Sequence, residues 1–401
     1  MATCAPGLES LLADELRALD IESVEPARSA VRFRGDWHDV WRANYWLRTA
    51  NRVLVELSRF PASTSEELYR GAGALLDERD AGLAGVRVAD LLAPERTFAV
   101  AATSTHSRLS DTRWIALKVK DAIADAQRAR FRRRADVDTR RPDVPLRVWL
   151  HDDRATVLLD SSREPLDRRG YRRVSGAAPL REQLAAACVL ASGWDGSGPV
   201  VDPMCGTGTL LIEAAWIALG QAPGSLRERW AFERWPGFEA GTFARIRERH
   251  GGRGATTDDP PRPLVAAERG GAPWLHGRDT SNDAIRAARS NLDAAGLTPH
   301  ADVDLGDAFA YVPPCEPGLV VVNPAYGERL ETTNADWKQL GDLLKQHYAG
   351  WRCAIVTGAP DFGKHIGLRP RRRFPVKNGA LDAKILVFDL YSGTAAAARE
   401  T

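Results

Sequence analysis

The pattern of apolar positions in the first sixty residues predicts four short strands and two helices. Apolar residues recur at helical spacing over residues 7–19 and again over 37–47, where Asp36 can cap the helix. Alternating apolar and polar positions predict a hairpin over 24–33 and a strand over 52–60. Strand, helix, strand, strand, helix, strand is the ferredoxin-like order. We therefore expect a ferredoxin-like α+β domain over residues 1–60.

The next hundred residues predict a second α+β region, over residues 61–160. A long helix is expected over 112–131, because Ile115, Val119 and Ile123 form one apolar stripe. The remaining predicted elements are a helix over 65–76, a strand over 97–103, and a hairpin of strands over 147–150 and 155–160.

From residue 161 to residue 395, apolar strands alternate with helices, which predicts an open, mostly parallel α/β sheet of the Rossmann-like kind. The run over 318–322 is apolar at successive positions, as expected for a strand that is buried on both faces. The other predicted strands are 199–201, 274–279, 301–305, 353–357 and 384–391, with helices over 209–219, 281–295 and 337–348. Residues 220–273 interrupt this rhythm, and we interpret them as an insertion with a helix over 242–248.

Composition sets broad limits on the function. The 401 residues carry a net charge of only +2, so bulk charge does not indicate a nucleic-acid partner. Arginine is nevertheless clustered, as at 128–134 and 168–173, and guanidinium groups suit phosphate. A solvated basic face is the alternative reading of each cluster.

The five cysteines are scattered and none has a partner at metal-ligand spacing, so we expect free thiols and no metal. The N-terminus carries no signal-peptide pattern, and no apolar run approaches the ~18 residues that span a bilayer. These features predict a cytoplasmic protein without a membrane partner.

A glycine turn follows the first strand of the α/β region. Gly206 and Gly208 come directly after Asp202 and Cys205, and they allow the backbone to approach a ligand closely. A carboxylate at Asp202 would repel a dinucleotide pyrophosphate, so a nicotinamide oxidoreductase is disfavoured. It suits the cationic groups of S-adenosylmethionine instead. An ordinary tight turn, with Asp202 as a helix cap, is the alternative.

Two further carboxylates follow the next two predicted strands. Asp279 can accept hydrogen bonds from both hydroxyls of a ribose, and Asp307 can accept one from an adenine amino group. Either residue alone is more often a helix cap. Three acids at three successive strand ends predict a nucleoside-binding edge.

The fourth predicted strand ends in a tetrapeptide that can hold a flat, amino-bearing base. The side-chain oxygen of Asn323 and the carbonyl of Pro324 can accept the amine hydrogens, and Tyr326 can stack on the ring. Proline fixes φ and so helps to aim its carbonyl. We expect methyl transfer to an exocyclic nitrogen, in which alignment supplies most of the catalysis. A polar turn that ends a strand is the alternative.

These residues resemble the family of bacterial 23S rRNA guanine-N2 methyltransferases with a THUMP domain, of the large-subunit methyltransferase L type. The resemblance covers nearly the whole chain. It is carried by residues 7–9, 118–123, 148–151, 169–172, 202–215 and 323–330.

The resemblance implies methyl transfer from S-adenosylmethionine to N2 of one guanosine, in 23S rRNA or a large-subunit assembly intermediate. It implies a class I methyltransferase domain over 161–395, with cofactor binding by Asp202, Cys205, Gly206, Gly208, Asp279 and Asp307. Asn323, Pro324 and Tyr326 would hold the base, which we expect to be flipped out of its helix. The family usually has a second proline where this chain has Ala325, and that proline stiffens the loop.

The resemblance also implies that residues 61–160 are a THUMP domain that binds structured RNA. Arg169, Tyr171 and Arg172, at the domain junction, are candidates for contact with the RNA backbone, with a salt-bridged linker as the alternative. Some relatives carry a second, N7-guanine methyltransferase at the C-terminus, which we do not expect in this chain. Rival functions are a tRNA guanine-N2 or adenine-N6 methyltransferase, or a non-catalytic RNA-binding assembly factor.

Overall fold

The chain forms two seven-stranded sheets with helices packed against them in the computed structural model. The structure describes residues 1–77, 85–176, 179–248, 273–313, 315–324 and 334–391. Within these ranges, every helix is too short or too polar to cross a bilayer.

The first sheet joins the two N-terminal regions of the chain. Its strands are β1 (Ala2–Cys4), β2 (Glu25–Ala27), β3 (Ala30–Arg32), β4 (Ala50–Pro61), β5 (Phe98–Thr105), β6 (Val144–His151) and β7 (Arg154–Asp160), in the order β2-β3-β1-β4-β7-β6-β5. The long strand β4 pairs antiparallel with β1 on one side and with β7 on the other. The ferredoxin-like half and the following region therefore share one continuous sheet, which the sequence did not predict.

Helices cover this sheet, and side chains that accept hydrogen bonds begin three of them. The helices are α1 (Glu9–Ala18), α2 (Trp37–Trp46), α3 (Ser65–Gly73), α4 (Val88–Leu91) and α5 (Thr112–Phe131). Asp36, Thr64 and Asp111 cap α2, α3 and α5 by accepting from backbone N–H groups of the first turn. The predicted bounds of α5 are confirmed.

The second sheet carries the α/β region. Its strands are β8 (Val200–Asp202), β9 (Leu275–Asp279), β10 (Ala301–Leu305), β11 (Leu319–Val322), β12 (Arg352–Thr357), β13 (Arg372–Asn378) and β14 (Leu381–Asp389), in the order β10-β9-β8-β11-β12-β14-β13. The first five in this order are parallel and β14 is antiparallel to β12. All four residues of β11 are buried, as predicted for a strand covered on both faces. The Rossmann-like prediction is confirmed.

The helices of this region are α6 (Glu182–Ser192), α7 (Thr209–Ala218), α8 (Ala240–Glu248), α9 (Asn282–Ala294), α10 (Asn334–His347) and α11 (Phe362–His365). Two helices and one strand of this region were not predicted. The helices are α6 and α11, and the strand is β13, which forms a hairpin with the predicted last strand, β14. Strand β13 lies at the edge of the sheet, where a proline such as Pro375 is tolerated. The sequence analysis did not predict this strand.

The first part of the predicted insertion is packed against the N-terminal region. Phe232 and Phe243 lie with their ring centroids 6.0 and 6.4 Å from that of Trp41 on α2. The indole N–H of Trp46 also donates to the carbonyl of Ile246 at 3.3 Å. Residues 230–246 therefore join the two halves of the molecule, while residues 249–272 of the insertion lie outside the described part.

Candidate active site

The glycine turn lies between β8 and α7, at the carboxyl end of the parallel sheet. Gly206 has φ +53° and Gly208 has φ +80°, in the left-handed region that favours glycine. A Cβ on Gly208 would lie 3.4 Å from the Cβ of Ala288 on α9, whereas a Cβ on Gly206 would have no atom of the described residues within 4 Å. The turn therefore packs closely against α9 at Gly208 and leaves room for a ligand at Gly206.

Asp202 ends β8 and is 1% exposed. Its Oδ1 accepts from the backbone N–H of Met204 at 3.1 Å. It does not cap α7, because Gly208 occupies the cap position and no side chain bonds there. Burial, together with the charge of Asp279, raises the pKa of Asp202 to about 8. A cation placed beside this carboxyl would relieve the cost of ionising it.

Asp279 ends β9, the neighbouring strand. Its Oδ2 accepts from the N–H of Gly206 at 3.0 Å and its Oδ1 from the N–H of Ser281 at 2.9 Å. The carboxylate thus ties the glycine turn to β9. Each oxygen keeps a second lone pair, which is what two ribose hydroxyls require.

Asp307 follows β10, the next strand outward. Leu305 pairs with Asp279 in the ladder, so Asp307 lies two residues beyond the level of Asp279. Its Oδ1 accepts from the N–H of Phe309 at 3.0 Å and begins a short 3-10 helix over Ala308–Ala310. The capping alternative therefore applies to one oxygen of Asp307. Because the side chain is exposed, the other oxygen can accept from a ligand.

Cys205 is buried and serves packing rather than an open ligand surface. Its thiol lies 3.1 Å from where a Cβ on Gly277 would stand, and burial raises the pKa of the thiol well above its usual range. Its N–H donates to the carbonyl of Arg278 at 2.8 Å, and its own carbonyl accepts from Gly208 at 2.8 Å. The backbone of Cys205, more than its side chain, shapes the turn.

Asn323 follows β11, which pairs in parallel with β8. Val320 is opposite Val201, so Asn323 lies just past the level of Asp202 at the same edge of the sheet. The side-chain oxygen of Asn323 is buried and has no hydrogen-bond partner in the described part of the chain. Pro324 is also buried, and Tyr326 and Ala325 lie outside the described residues. A buried amide oxygen without a partner is costly, and a bound N–H donor would satisfy it.

The prediction that Arg169 and Tyr171 contact RNA is wrong, because both side chains are buried. Arg169 is 1% exposed and its guanidinium donates to Glu213 at 3.2 Å and to the carbonyl of Leu166 at 2.7 Å. The hydroxyl of Tyr171 donates to the same carboxylate at 3.0 Å. Burial raises the pKa of Tyr171 well above its usual range, so it stays neutral. The salt-bridged linker is the structure that forms.

Arg172 is mostly buried and serves the glycine turn. Its guanidinium donates to Glu182 at 2.7 Å, to the Thr209 hydroxyl at 3.0 Å and to the Thr207 hydroxyl at 3.3 Å. This arrangement holds the first turn of α7 against the start of α6. An RNA contact at Arg172 could use only the small part of the side chain left exposed.

Glu213 was missed by the sequence analysis. It lies on α7, the helix that begins at the glycine turn, and is fully buried beneath Arg169 and Tyr171. The guanidinium of Arg169 also donates to the carbonyl of Arg48, and Arg48 donates to the carbonyl of Gln221 at 2.6 Å. A single acid inside an otherwise apolar helix was the available signal, because a buried carboxylate needs a partner.

Tyr311 is a second residue that the sequence analysis missed. Its ring lies under the guanidinium of Arg278, 4.7 Å from centroid to carbon, and its buried hydroxyl has no hydrogen-bond partner within the described ranges. Burial raises the pKa of Tyr311 to about 12, so the hydroxyl remains a donor. Tyr311 comes four residues after Asp307, at the same edge of the sheet.

Among the described residues, no three His, Cys, Asp or Glu side chains are arranged to hold a metal ion. The polar groups at the carboxyl edge suit an organic ligand instead. It offers three carboxylates on adjacent strands, an open glycine turn and an unsatisfied amide oxygen one strand away.

Three family models match successive parts of the chain. A ferredoxin-like domain of the RlmL type matches residues 1–54, a THUMP domain matches 62–160, and an RMKL-like methyltransferase domain matches 169–386. A ribosomal RNA large subunit methyltransferase K/L of Syntrophotalea carbinolica is 38% identical over 400 residues, which cover 97% of this chain and 53% of that protein. This chain thus spans about half the length of that relative.

Solved structures with the same architecture cover the chain almost completely. A methyltransferase in complex with SAH is 26% identical, with a TM-score of 0.81 over 98% of both chains. A structure from Listeria monocytogenes, described as an N6-adenine-specific DNA methylase, is 27% identical, with a TM-score of 0.79 over 98% of this chain and 95% of the other.

Proposed function

Because this chain belongs to the RMKL-like methyltransferase domain family, we propose that it methylates the exocyclic N2 amine of a guanosine in 23S rRNA. The methyl donor in this proposal is S-adenosylmethionine, and the acceptor is free 23S rRNA or a large-subunit assembly intermediate in the bacterial cytoplasm. The name of the Syntrophotalea carbinolica relative supports the acceptor, and the structure solved with SAH supports the donor.

The residues at the carboxyl edge fit this cofactor. S-adenosylmethionine supplies a methyl group activated by a cationic sulfur. Asp202 faces the turn with a carboxyl that favours a cation, Asp279 keeps free lone pairs for ribose hydroxyls, and Asp307 offers an exposed oxygen for an adenine amine. Gly206 leaves open space beside these groups.

The base-holding residues act on the amine. The lone pair of an exocyclic amine is delocalised into its ring, which makes the nitrogen a poor nucleophile. Two acceptors at its hydrogens, the Asn323 oxygen and the Pro324 carbonyl, would concentrate that lone pair toward the donor. The nitrogen would take the methyl group as the bond from that group to the cofactor sulfur breaks, and it would then be cationic and release a proton readily, so alignment is the main contribution of the protein.

The observation that carries this proposal is the buried oxygen of Asn323, which has no hydrogen-bond partner among the described residues and follows the strand next to β8. A polar turn that only ended a strand would satisfy that oxygen with a backbone N–H or leave it in water. An amine on a bound base provides the missing donor.

The N-terminal half supports an RNA acceptor. The THUMP match over 62–160 accompanies a run of exposed arginines at Arg132, Arg133 and Arg134, after α5. We retain 1–60, 61–160 and 161–395 as the proposed domain division, with the first two domains built on one sheet.

The test measures methyl transfer from labelled donor to separate 23S, 16S and tRNA transcripts, followed by digestion to nucleosides. We expect label in N2-methylguanosine from 23S rRNA. The Asn323→Ala variant should lose at least a hundredfold in transfer rate, because one hydrogen-bond acceptor at the reacting amine is removed, an effect of about 3 kcal/mol.

The matched control is Asn44→Ala, which removes a buried asparagine of α2 that bonds the carbonyl of Val40 and the hydroxyls of Ser161 and Ser162, in contacts that do not involve the glycine turn. Cofactor affinity in Asn323→Ala should equal that of the wild type. Equal transfer rates in Asn323→Ala and the wild type would refute the assignment.

Transfer to an adenine N6 amine is the second candidate. It is favoured by the Listeria monocytogenes structure, and the same two acceptors would serve that amine. Label in N6-methyladenosine after digestion would establish it in place of the guanine reaction.

A further inference from the structure

A cleft of about 570 Å³ lies at the junction of the two halves of the molecule. Seven arginines line it, and we call it the junction cleft: Arg141, Arg163, Arg168, Arg169, Arg172, Arg227 and Arg229. They come from three separate stretches of chain, before β6, after β7 and after α7. Only tertiary folding brings them together.

Four of these guanidinium groups have no carboxylate partner among the described residues, and one of the four, Arg227, donates to backbone carbonyls instead. Within the described residues, Arg141, Arg163 and Arg229 form no ion pair, whereas Arg172 pairs with Glu182 at 2.7 Å and Arg168 with Glu164 at 3.7 Å. Glu228 is the remaining acid of the lining. The junction cleft therefore carries an excess of positive charge that nothing in the described protein neutralises.

The wall of the junction cleft is held in place by Arg227. Its guanidinium donates to the carbonyls of Ser162 at 2.8 Å and Pro165 at 2.9 Å, and it stacks over the ring of Trp230 at 4.5 Å. Burial lowers the pKa of Arg227 to about 10, which leaves it charged at neutral pH. A fixed cation of this kind is preorganised for an anion.

The junction cleft leads toward the catalytic edge of the second sheet. Arg172 belongs both to its lining and to the hydrogen-bonded contacts of Thr207 and Thr209 in the glycine turn. On the other side, Arg141 follows the exposed arginines after α5. An RNA strand that contacted both the THUMP region and the glycine turn would have to cross this cleft.

We propose that the junction cleft binds the phosphate backbone of the RNA, with Arg141, Arg163 and Arg229 as the phosphate contacts. The proposal rests on the proposed function for its RNA substrate. Each planar guanidinium can donate two parallel hydrogen bonds to one phosphate. RNA is favoured over an acidic protein because Arg141 and the exposed arginines at 132–134 lie within the residues that match a THUMP domain.

The test is a triple variant, Arg141→Gln, Arg163→Gln and Arg229→Gln. A matched control, Arg28→Gln, Arg369→Gln and Arg373→Gln, removes the same charge from exposed arginines that form no ion pair in the described part. Affinity for transcribed 23S rRNA is measured by fluorescence anisotropy from 50 to 300 mM salt, and cofactor affinity by calorimetry.

We expect the cleft variant to bind the rRNA about tenfold or more weakly at 0.15 M salt. The slope of log affinity against log salt should fall in magnitude by about 2 to 3, since each lost phosphate contact removes about 0.7 to 0.9. Cofactor affinity should not change. A triple lysine variant at the same positions should recover most of the affinity, because lysine keeps the charge.

A cleft variant with wild-type affinity and slope would overturn the proposal, as would an equal loss in the matched control. Binding of polyglutamate in place of rRNA would overturn it in favour of an acidic protein partner. Methyl transfer is measured in parallel, so the two proposals can fail separately. Transfer by the wild type with no effect of the cleft variant refutes only the cleft, and cleft-dependent binding without transfer refutes only the function.

Discussion

Asp202 shows how burial can prepare a carboxyl group for a cationic ligand. The group ends a buried strand, receives one backbone hydrogen bond and lies near a second acid, so its proton is held up to about pH 8. A protonated acid costs little inside a protein, whereas an ionised one requires a counterion. The free site and the occupied site therefore prefer different protonation states of this residue.

Cofactor affinity should consequently depend on pH. Binding of a cation requires the carboxylate, so affinity should rise roughly tenfold or more between pH 6 and pH 7.5, below the range in which the donor's own amino group titrates. The Asp202→Asn variant should bind more weakly and without this dependence. Calorimetry across the pH range measures both, and a flat wild-type profile would contradict the raised pKa.

The unfolding of the cofactor-free protein provides the control. The folded pKa of Asp202 is above its unfolded value near 3.9, so the residue's stabilising contribution is present at low pH and is lost as pH rises toward 8. The free energy of unfolding of Asp202→Asn should therefore fall less than that of the wild type between pH 5 and pH 8. Urea unfolding at several pH values measures the difference.

At the scale of elements, the glycine turn combines a required backbone conformation with a close contact. Gly208 has positive φ and faces Ala288, whereas Gly296 has positive φ of +74° with nothing within 4 Å of its ideal Cβ. The two positions separate backbone strain from local packing.

Both Gly208→Ala and Gly296→Ala should destabilise the protein by about 1 kcal/mol through strain at positive φ. Only Gly208→Ala should weaken cofactor binding, since it displaces the turn against α9. Thermal unfolding and calorimetry of the two variants measure these effects. A comparable loss of cofactor affinity in Gly296→Ala would show that displacement of the glycine turn is not the cause of the weaker binding.

Elements with a regular pattern were predictable from the sequence. The apolar stripe of α5 and its Asp111 cap predict a helix without any information on tertiary contacts. The four successive apolar residues of β11 indicate a buried strand. Helix α6 is apolar on nearly all sides and has no stripe, because it is buried nearly all round. Strand β13 carries charges and a proline at a sheet edge, so its pattern resembles a turn.

The residues of the candidate site also divide into those that the sequence could predict and those that it could not. The acids after β8, β9 and β10 could be placed because parallel strands bring their carboxyl ends to one edge. The burial of Arg169 could not be predicted, because its partner Glu213 is 44 residues away and only the packing of α7 brings the two together. The junction cleft depends on contacts of even longer range.

At the scale of the whole molecule, the buried pair of Arg169 and Glu213 connects the N-terminal half to the helix that begins at the glycine turn. Glu213→Gln would leave a buried guanidinium without its counterion. We expect a loss of about 3 to 5 kcal/mol in the free energy of unfolding, measured by urea titration.

The double variant Arg169→Leu with Glu213→Leu is the matched control. It removes both charges, so it should be less destabilised than Glu213→Gln alone. A double variant that is as unstable as the sum of the two single variants would indicate that the two residues act independently.

Strand β4 has a consequence for synthesis on the ribosome. One edge of β4 pairs with β1, which is synthesised before it. The other edge pairs with β7, which is synthesised only after residue 153, so this edge is unpaired until then. At roughly 5 to 20 residues per second, a nascent chain presents an open strand edge for several seconds before its cover arrives. Such an edge invites pairing with another chain, so translation speed across this stretch should govern how much of the product escapes aggregation.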